Sequence, residues 1–514
     1  MTEETRMSPA GNNIASDTPS DTPSDNDISD LVIVGCGIAG LSAAVTALQA
    51  GLSVTLLERA PEEDFGGNSR WTEAYMRMKN DSEIADDFEE HFAANAGLNI
   101  DPNVLAAAAE PYEYWPDYVK AHPFPDPEVI ARFAERVPTT IGWLKEFGLR
   151  FEPQPIYLLT QNTQRIAAQG GGLALIERLM AEAKALGARV LYRTTALDLL
   201  RDGQGRIGGV HATGPDGLRV AIRGRSTVLA SGGYQGNTEM MTRYMGARAK
   251  HVRPVARGGY YNRGEGIRMA LDAGAAPAGD FGSYHAEPVD PRSRQPEAVI
   301  FIWPYGVLVN KRGERFLDEA PGTADATYDH ITRVVADQPD GLAYVLFDDQ
   351  VEDIPRWRTS IRSDVPAIEA PTLDALIETL GLPAEATKAT VAAYNAACPA
   401  DAAGFDPTRV DGLATTGLTP PKTNWARPLV KGPFRAFPIV SANCFTFGGL
   451  KVDVDARVLD GNGQPMPGLY AAGETVGLYH QVYTGSTSVL RGAVFGRLAA
   501  QHAAQDMAAS RNAG

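Results

Sequence analysis

The chain has 514 residues, 44% hydrophobic and 21% charged, a globular composition long enough for two or three domains or one elaborated large domain. Its formal net charge of −16 excludes a protein that meets nucleic acid through a basic field, but not one that gathers arginines around an anionic substrate. Three cysteines, Cys36, Cys398 and Cys444, with no CxxC pair argue against a zinc site or an iron–sulfur cluster, so no metal is expected, and they suit a reducing cytoplasm.

Residues 1–29 carry SDTPSDTPSD and almost no apolar side chain, so a disordered tail is expected there. No charged segment followed by an apolar one marks a secretory leader. No run of 18 apolar residues marks a transmembrane helix. LVIV (31–34) predicts a short buried strand. GCGIAG follows, with Gly35, Gly37 and Gly40 in GxGxxG spacing, and Leu41, Ala44, Val45 and Leu48 recur at helical intervals. A second strand, VTLLE, ends at Glu58. Strand, glycine turn, helix and strand-end acid form the βαβ fingerprint of dinucleotide binding. Gly35 permits the tight turn, Gly37 lets backbone approach a pyrophosphate, Gly40 lets helix and strand pack closely, and Glu58 can accept from a ribose hydroxyl. The helix start favours the negative diphosphate. A glycine-rich turn in an unrelated α/β protein leaves the position of Glu58 unexplained.

GGNS (66–69) comes next, a glycine pair that lets the chain pass close to a bulky ring system, with Arg70 and Trp71 directly after it. Helical patterns occupy 81–148. Across 189–230, ARVLYRTTALDLL, RIGGVHATG and LRVAIRGRSTVLA alternate as hairpin strands. Helical patterns return at 372–381 and 384–397, followed by the turn-rich GLTPPKTNWARP. GLYAAGE (468–474) reads as a strand and turn. TSVLRGAVFGRLAA (487–500) begins a helix capped by Thr or Ser, whose start can bind the electron-rich end of an isoalloxazine.

VGCGIAGLSAA, ERAPEEDFGGNS, QGGGLAL, VLASGGYQGN, GEGIRMALDAGA, LVNKRGERFLDE, FTFGGLKVD and GLYAAGE together resemble the flavoprotein superfamily of succinate dehydrogenase, fumarate reductase and ketosteroid dehydrogenase. Within it, GGNSRWTEAYMRM, YHAEPVDPRS and YTGSTSVLRGAVFGR are most similar to the tricarballylate dehydrogenase family, which oxidises a tricarboxylate to cis-aconitate with FAD. The resemblance covers about residues 30 to 505. It implies an α/β fold: a discontinuous Rossmann-like FAD-binding domain over 30–280 and 435–514, with an inserted α+β capping domain over 281–434 that closes over substrate.

The resemblance also implies the site. Gly35, Gly37, Ile38, Ala39, Gly40, Glu58, Arg59, Gly67, Asn68, Ser69, Gly171, Gly172, Ala196, Gly232, Glu474, Ser488 and Val489 are expected to hold FAD. Asp64-Phe65 stands where covalent members carry a His, so the flavin is expected to be non-covalent. Arg70, Arg165, His285, Thr446 and Tyr483 are expected at the substrate, and Tyr328, Tyr483, His285 and Arg70 in catalysis. A surface ion pair would equally account for Arg70, and a structural role for His285. Arg491 is expected to pair with a neighbouring acid.

Three departures set the chain apart from fumarate reductases. APGTADATY (320–328) lacks the proton-shuttling arginine, NCFTFGG (443–449) lacks a His, and Tyr483 replaces an arginine. The implied activity is oxidation of a CH–CH bond of a small polycarboxylate, most similar to tricarballylate oxidation. A ketosteroid-type 1,2-dehydrogenase, a fumarate-type enoate reductase and an electron-transfer flavoprotein subunit are the alternatives. One nucleotide fingerprint and no haem or iron–sulfur motif leave reduced flavin without an internal wire. The expected partner is therefore a membrane-associated iron–sulfur or haem protein, and the expected location cytoplasmic, or peripheral to the inner membrane face through that partner.

Overall fold

A computed structural model describes residues 28–94, 101–120, 122, 126–153 and 164–512. The expected tail, 1–29, lies outside these except for Ile28 and Ser29, which already belong to the first strand.

Leu31–Val34 and Val54–Leu57 are continuous runs of buried residues, the pattern of parallel strands covered on both faces. They sit at the centre of a sheet in the order Arg189–Leu191, Val54–Leu57, Ile28–Val34, Arg219–Leu229, Pro465–Ala471, Arg457–Leu459. The first five are mutually parallel. The hairpin strands Thr195–Arg201 and Ile207–Thr213 attach to Arg219–Leu229 as an antiparallel ribbon. The fold is mixed α/β, as expected. The helix Ile38–Gln49 fills one face, and the C-terminal helix Ser488–Asn512 lies directly on it. That approach needs glycine: a Cβ at Gly496 would collide with the Ala39 carbonyl oxygen.

A second sheet is organised by one long strand, Phe434–Thr446. Its first half pairs with Leu342–Phe347 and Ile368–Ala370, and its second half with Tyr284–Val289 and Val252–Pro254. Helix Ala324–Ala336 packs on an apolar cluster containing Trp303, Val335 and Phe347. Helices Leu373–Leu380 and Ala384–Ala397 supply another, with Leu376, Val391 and Tyr394. The expected domain boundaries at 281 and 435 do not coincide with a break between sheets. Val252–Pro254 and the whole of Phe434–Thr446 belong to the second sheet. One continuous strand thus runs from the inserted region to the site, which fixes the two relative to each other.

Candidate active site

A cavity of about 670 Å³ lies between the two sheets, a size ordinary for small-molecule and cofactor sites. Its dinucleotide end is lined by Gly35, Gly37, Ile38, Ala39, Glu58, Arg59, Ala196 and Gly232. The backbone at Gly37 is open: a Cβ there would meet only Ser69 Oγ at 3.4 Å and the Gly66 carbonyl at 3.7 Å. Ser69 Oγ accepts from Ile38 N–H at 3.2 Å, so the serine of GGNS caps the first helix. The buried Glu58 carboxylate accepts from Cys36 N–H (3.2 Å) and Ala60 N–H (2.9 Å), and burial raises its pKa. Arg59 pairs with Glu265 at 2.6 Å.

Further along, Asn68 holds the Cys444 carbonyl at 2.6 Å. Glu474 accepts from Thr446 N–H (2.8 Å) and Asn262 Nδ2 (3.1 Å). Asn68 Oδ1 and Ser231 Oγ, both on the cavity wall, are buried without a partner. Buried polar groups ordinarily have partners, so open backbone and orphaned polar atoms around one cavity fit a large, multiply hydrogen-bonding ligand such as FAD.

Five of the expected residues lie outside the lining. A Cβ at Gly40 would strike the Gly35 carbonyl, and one at Gly172 the Ser69 carbonyl. Gly172 N–H also donates to Thr72 O at 2.8 Å. Gly40, Gly171 and Gly172 therefore shape the turns that carry the site and do not line the cavity. Thr446 Oγ1 sits 3.2 Å from Glu474 and positions that carboxylate from behind.

Arg70 likewise does not line the cavity. It closes the short 3-10 turn Gly67–Arg70, which sends Ser69 and Trp71 inward and Arg70 away. Its guanidinium lies over the Phe65 ring, 5.4 Å from the centroid, and 3.6 Å from Glu177. Arg70 thus meets Phe65 and Glu177 beside the cavity rather than in its lining, with its Nη1 buried and unpartnered.

The opposite end gathers His285, Tyr328, Tyr483, Phe445, Phe301 and Arg165. His285 Nε2 is 2.6 Å from the Tyr328 hydroxyl, and its ring packs on Tyr483 with centroids 4.4 Å apart. Burial, reinforced by Arg333, holds His285 near 3, while burial pushes Tyr328 well above the ordinary phenol value. Both are therefore neutral at neutral pH. The Tyr483 hydroxyl accepts from Thr487 N–H (3.0 Å) and Ser488 N–H (3.1 Å), the first amides of the last helix. Arg165 lies 3.4 Å from Asp325, and its buried Nε lacks a partner.

Arg491 contradicts its expectation. It is 1% exposed, makes no ion pair among the described residues, and donates one bond, at 3.2 Å, to the Val476 carbonyl. Its guanidinium stacks on Tyr479 at 4.6 Å, its Nε has no partner, and it lines the cavity.

Sequence reading missed Glu287, Glu297 and Arg362. Glu287 stood in YHAEPVDP two residues from His285, on the same strand face. Arg362 and Glu297 carried no motif signal. Arg362 lies 2.7 Å from Glu73 and 3.7 Å from Glu297. Burial pushes the carboxyls of Glu287 and Glu297 up, Glu297 further by the charge of Glu287.

The family model described as FAD binding domain matches residues 30–490. The chain belongs to this family. It is 29% identical to the vinyl phenol reductase of Lactiplantibacillus plantarum, over 93% of this chain and 97% of that protein. It is 28% identical to the NADH:acrylate oxidoreductase of Vibrio harveyi over 92% of this chain, but spans only 50% of that relative. The fold matches the 3-ketosteroid-delta4-(5alpha)-dehydrogenase of Rhodococcus jostii RHA1 with a TM-score of 0.66 at 25% identity, covering 93% and 97% of the two chains. The chain is an FAD-dependent oxidoreductase acting on C=C or CH–CH bonds, within the fumarate reductase and ketosteroid dehydrogenase group.

Proposed function

We propose that the chain oxidises a CH–CH bond beside a carboxylate in a small polycarboxylate, with tricarballylate to cis-aconitate as the first candidate. The observation that carries this reading is Arg491. A buried guanidinium is costly unless paired, and this one makes no ion-pair contact among the described residues, feels Glu474 only at longer range, and lines the cavity with an unused Nε. A substrate carboxylate supplies the missing anion. Arg165, with its own unpartnered Nε at the same end, offers a second hold. Cations placed there stabilise charge that spreads onto a carboxylate as the α-proton leaves. When bound, FAD supplies the hydride acceptor.

A second reading has its own support. The neutral phenol–imidazole pair Tyr328–His285, boxed by Phe445 and Tyr483, would equally suit the carbonyl of a cyclic ketone. The two readings separate in one experiment: anaerobic bleaching of the flavin, screened across di- and tricarboxylates, cyclic ketones and vinyl phenols. Bleaching by tricarballylate is expected. Bleaching by ketones or phenols alone would overturn the polycarboxylate reading.

Electrons are proposed to leave to a separate iron–sulfur or haem partner, because the sequence carries one nucleotide fingerprint and dispersed cysteines. Among the described residues no helix is long and apolar enough to cross a membrane. Turnover with an artificial dye, and slow turnover or none with NAD(P)⁺, is the expected result. A chain that binds FAD but shows no dye turnover with any substrate would be an electron-transfer subunit instead.

A further inference from the structure

We infer that Glu287 is the group that takes the proton in CH–CH oxidation and returns it in the reverse direction. The inference rests on the proposed carboxylate reading for its substrate, but on the geometry for its residue.

The strand Tyr284–Val289 presents His285 and Glu287 on one face, two residues apart. A register shift between His285 and Ala286 lets the facing strand bulge at Cys444. As a result a Glu287 oxygen, a His285 ring nitrogen and Cys444 Sγ all lie within 4.8 Å of one another. All three residues line the cavity. Glu287 Oε2 is buried and has no hydrogen-bond partner, so one carboxylate oxygen is left for something that enters.

The other candidates are engaged or mismatched. The Tyr328 hydroxyl is bonded to His285, and the Tyr483 hydroxyl takes two backbone N–H groups. Asp325 lies against Arg165, and Asp329 accepts from Ala286 N–H at 2.7 Å and pairs with Arg333 at 2.6 Å. The groups that face Glu287 are Arg362, Glu73, Glu297, Asp329, Tyr328, Cys444 and His285. Burial dominates their combined effect and moves the carboxyl above its ordinary range, toward the pH at which it can both take and give a proton. Burial and the charge of Arg333 lower His285, so its ring does not take up a proton readily, and burial raises Tyr328, so its phenol keeps its own proton.

The step balances. The C–H bond α to the carbonyl breaks and its proton goes to Glu287 Oε2. The electron pair of that bond forms the C=C bond as the neighbouring carbon loses hydride to the oxidant, FAD. The proton leaves Glu287 to solvent before the next turnover.

The test uses the FAD-loaded protein and whichever carboxylate bleaches the wild-type flavin. Glu287→Gln is expected to slow flavin reduction by about a hundredfold or more, with substrate affinity and flavin content unchanged. Glu287→Asp is expected to recover part of the rate. The acid limb of the wild-type pH–rate profile should vanish in Glu287→Gln. One arm needs no substrate: infrared difference spectra on raising the pH through neutrality should show a carboxylic C=O band disappearing, and Glu287→Gln should lack that change. A Glu287→Gln rate within about fivefold of wild type, or an unchanged acid limb, overturns the inference even if the substrate is correct. If no carboxylate bleaches the wild type, the substrate reading fails, and the infrared arm still decides whether Glu287 titrates in this range.

Discussion

His285 Nε2 and the Tyr328 hydroxyl are 2.6 Å apart, joining a strand of the second sheet to the helix Ala324–Ala336 across the substrate end of the cavity. Tyr328→Phe would leave Nε2, like Nδ1 already, buried without a partner. Such an orphan costs about 1–3 kcal/mol. The expected outcome is a lower melting temperature and slower flavin reduction, with unchanged flavin content. Wild-type reduction kinetics in Tyr328→Phe would remove this pair from the working site.

Arg491 and Arg70 should behave oppositely. Arg491→Ala removes a charge-assisted contact worth roughly 1.5–3 kcal/mol, and so should weaken substrate binding by about ten- to a hundredfold. Arg491→Lys should recover part of it. Arg70→Ala, which removes a guanidinium lying over Phe65, should leave steady-state constants within about twofold. Titration of the flavin spectrum with substrate measures both. Loss of FAD from Arg491→Ala, with no change in substrate affinity for the remaining holoprotein, would reassign Arg491 to the cofactor.

The last two glycines of GxGxxG differ in what they permit. Gly40→Val would force a side chain into the Gly35 carbonyl, so a poorly folded protein is expected. The Cβ of Gly37→Val meets no protein backbone closer than 3.7 Å. It should fold with native circular dichroism yet purify colourless, because its side chain occupies the ligand path. Full retention of yellow flavin in Gly37→Val would dissociate this turn from FAD.

Wild-type flavin should separate from the acid-denatured chain. Asp64 is held by Arg257 at 2.6 Å and by the Tyr261 hydroxyl at 3.2 Å, and no His precedes the glycine pair. Flavin fluorescence that migrates with the denatured polypeptide would show a covalent bond.

Lys422 should give stability an alkaline slope. It is fully buried, donates to the Gly306 carbonyl, and is lowered by burial from 10.5 to about 8. Between those values the unfolded chain binds the proton and the folded chain does not. Stability relative to Lys422→Met therefore rises with pH across that window, by up to about 3 kcal/mol. Denaturant unfolding of the two proteins at several alkaline pH values measures the difference. A difference independent of pH would mean that Lys422 keeps its proton.

The dinucleotide half of this protein was legible in the chain itself, for a physical reason. Its signals are local: strand, turn glycines, helix and Glu58 lie within one short stretch, and each residue's role follows from backbone geometry that neighbours in sequence impose. The substrate end was not legible in this way. GGNSRW placed a cation beside the flavin turn, but only the direction of a 3-10 turn decided that Ser69 and Trp71 face inward and Arg70 outward. Arg491 read as one more helix arginine until the packing of Tyr479 and Phe445 around it left it with no ion pair among the described residues, Glu474 acting on it only at longer range. Glu287, Cys444 and Arg362 are far apart in the chain, and a bulged strand pairing together with a distant loop bring them to one wall. Spacing along a sequence records which residues share a helix or strand face. It does not record which faces meet, and at this site that meeting decides which charges are left without partners.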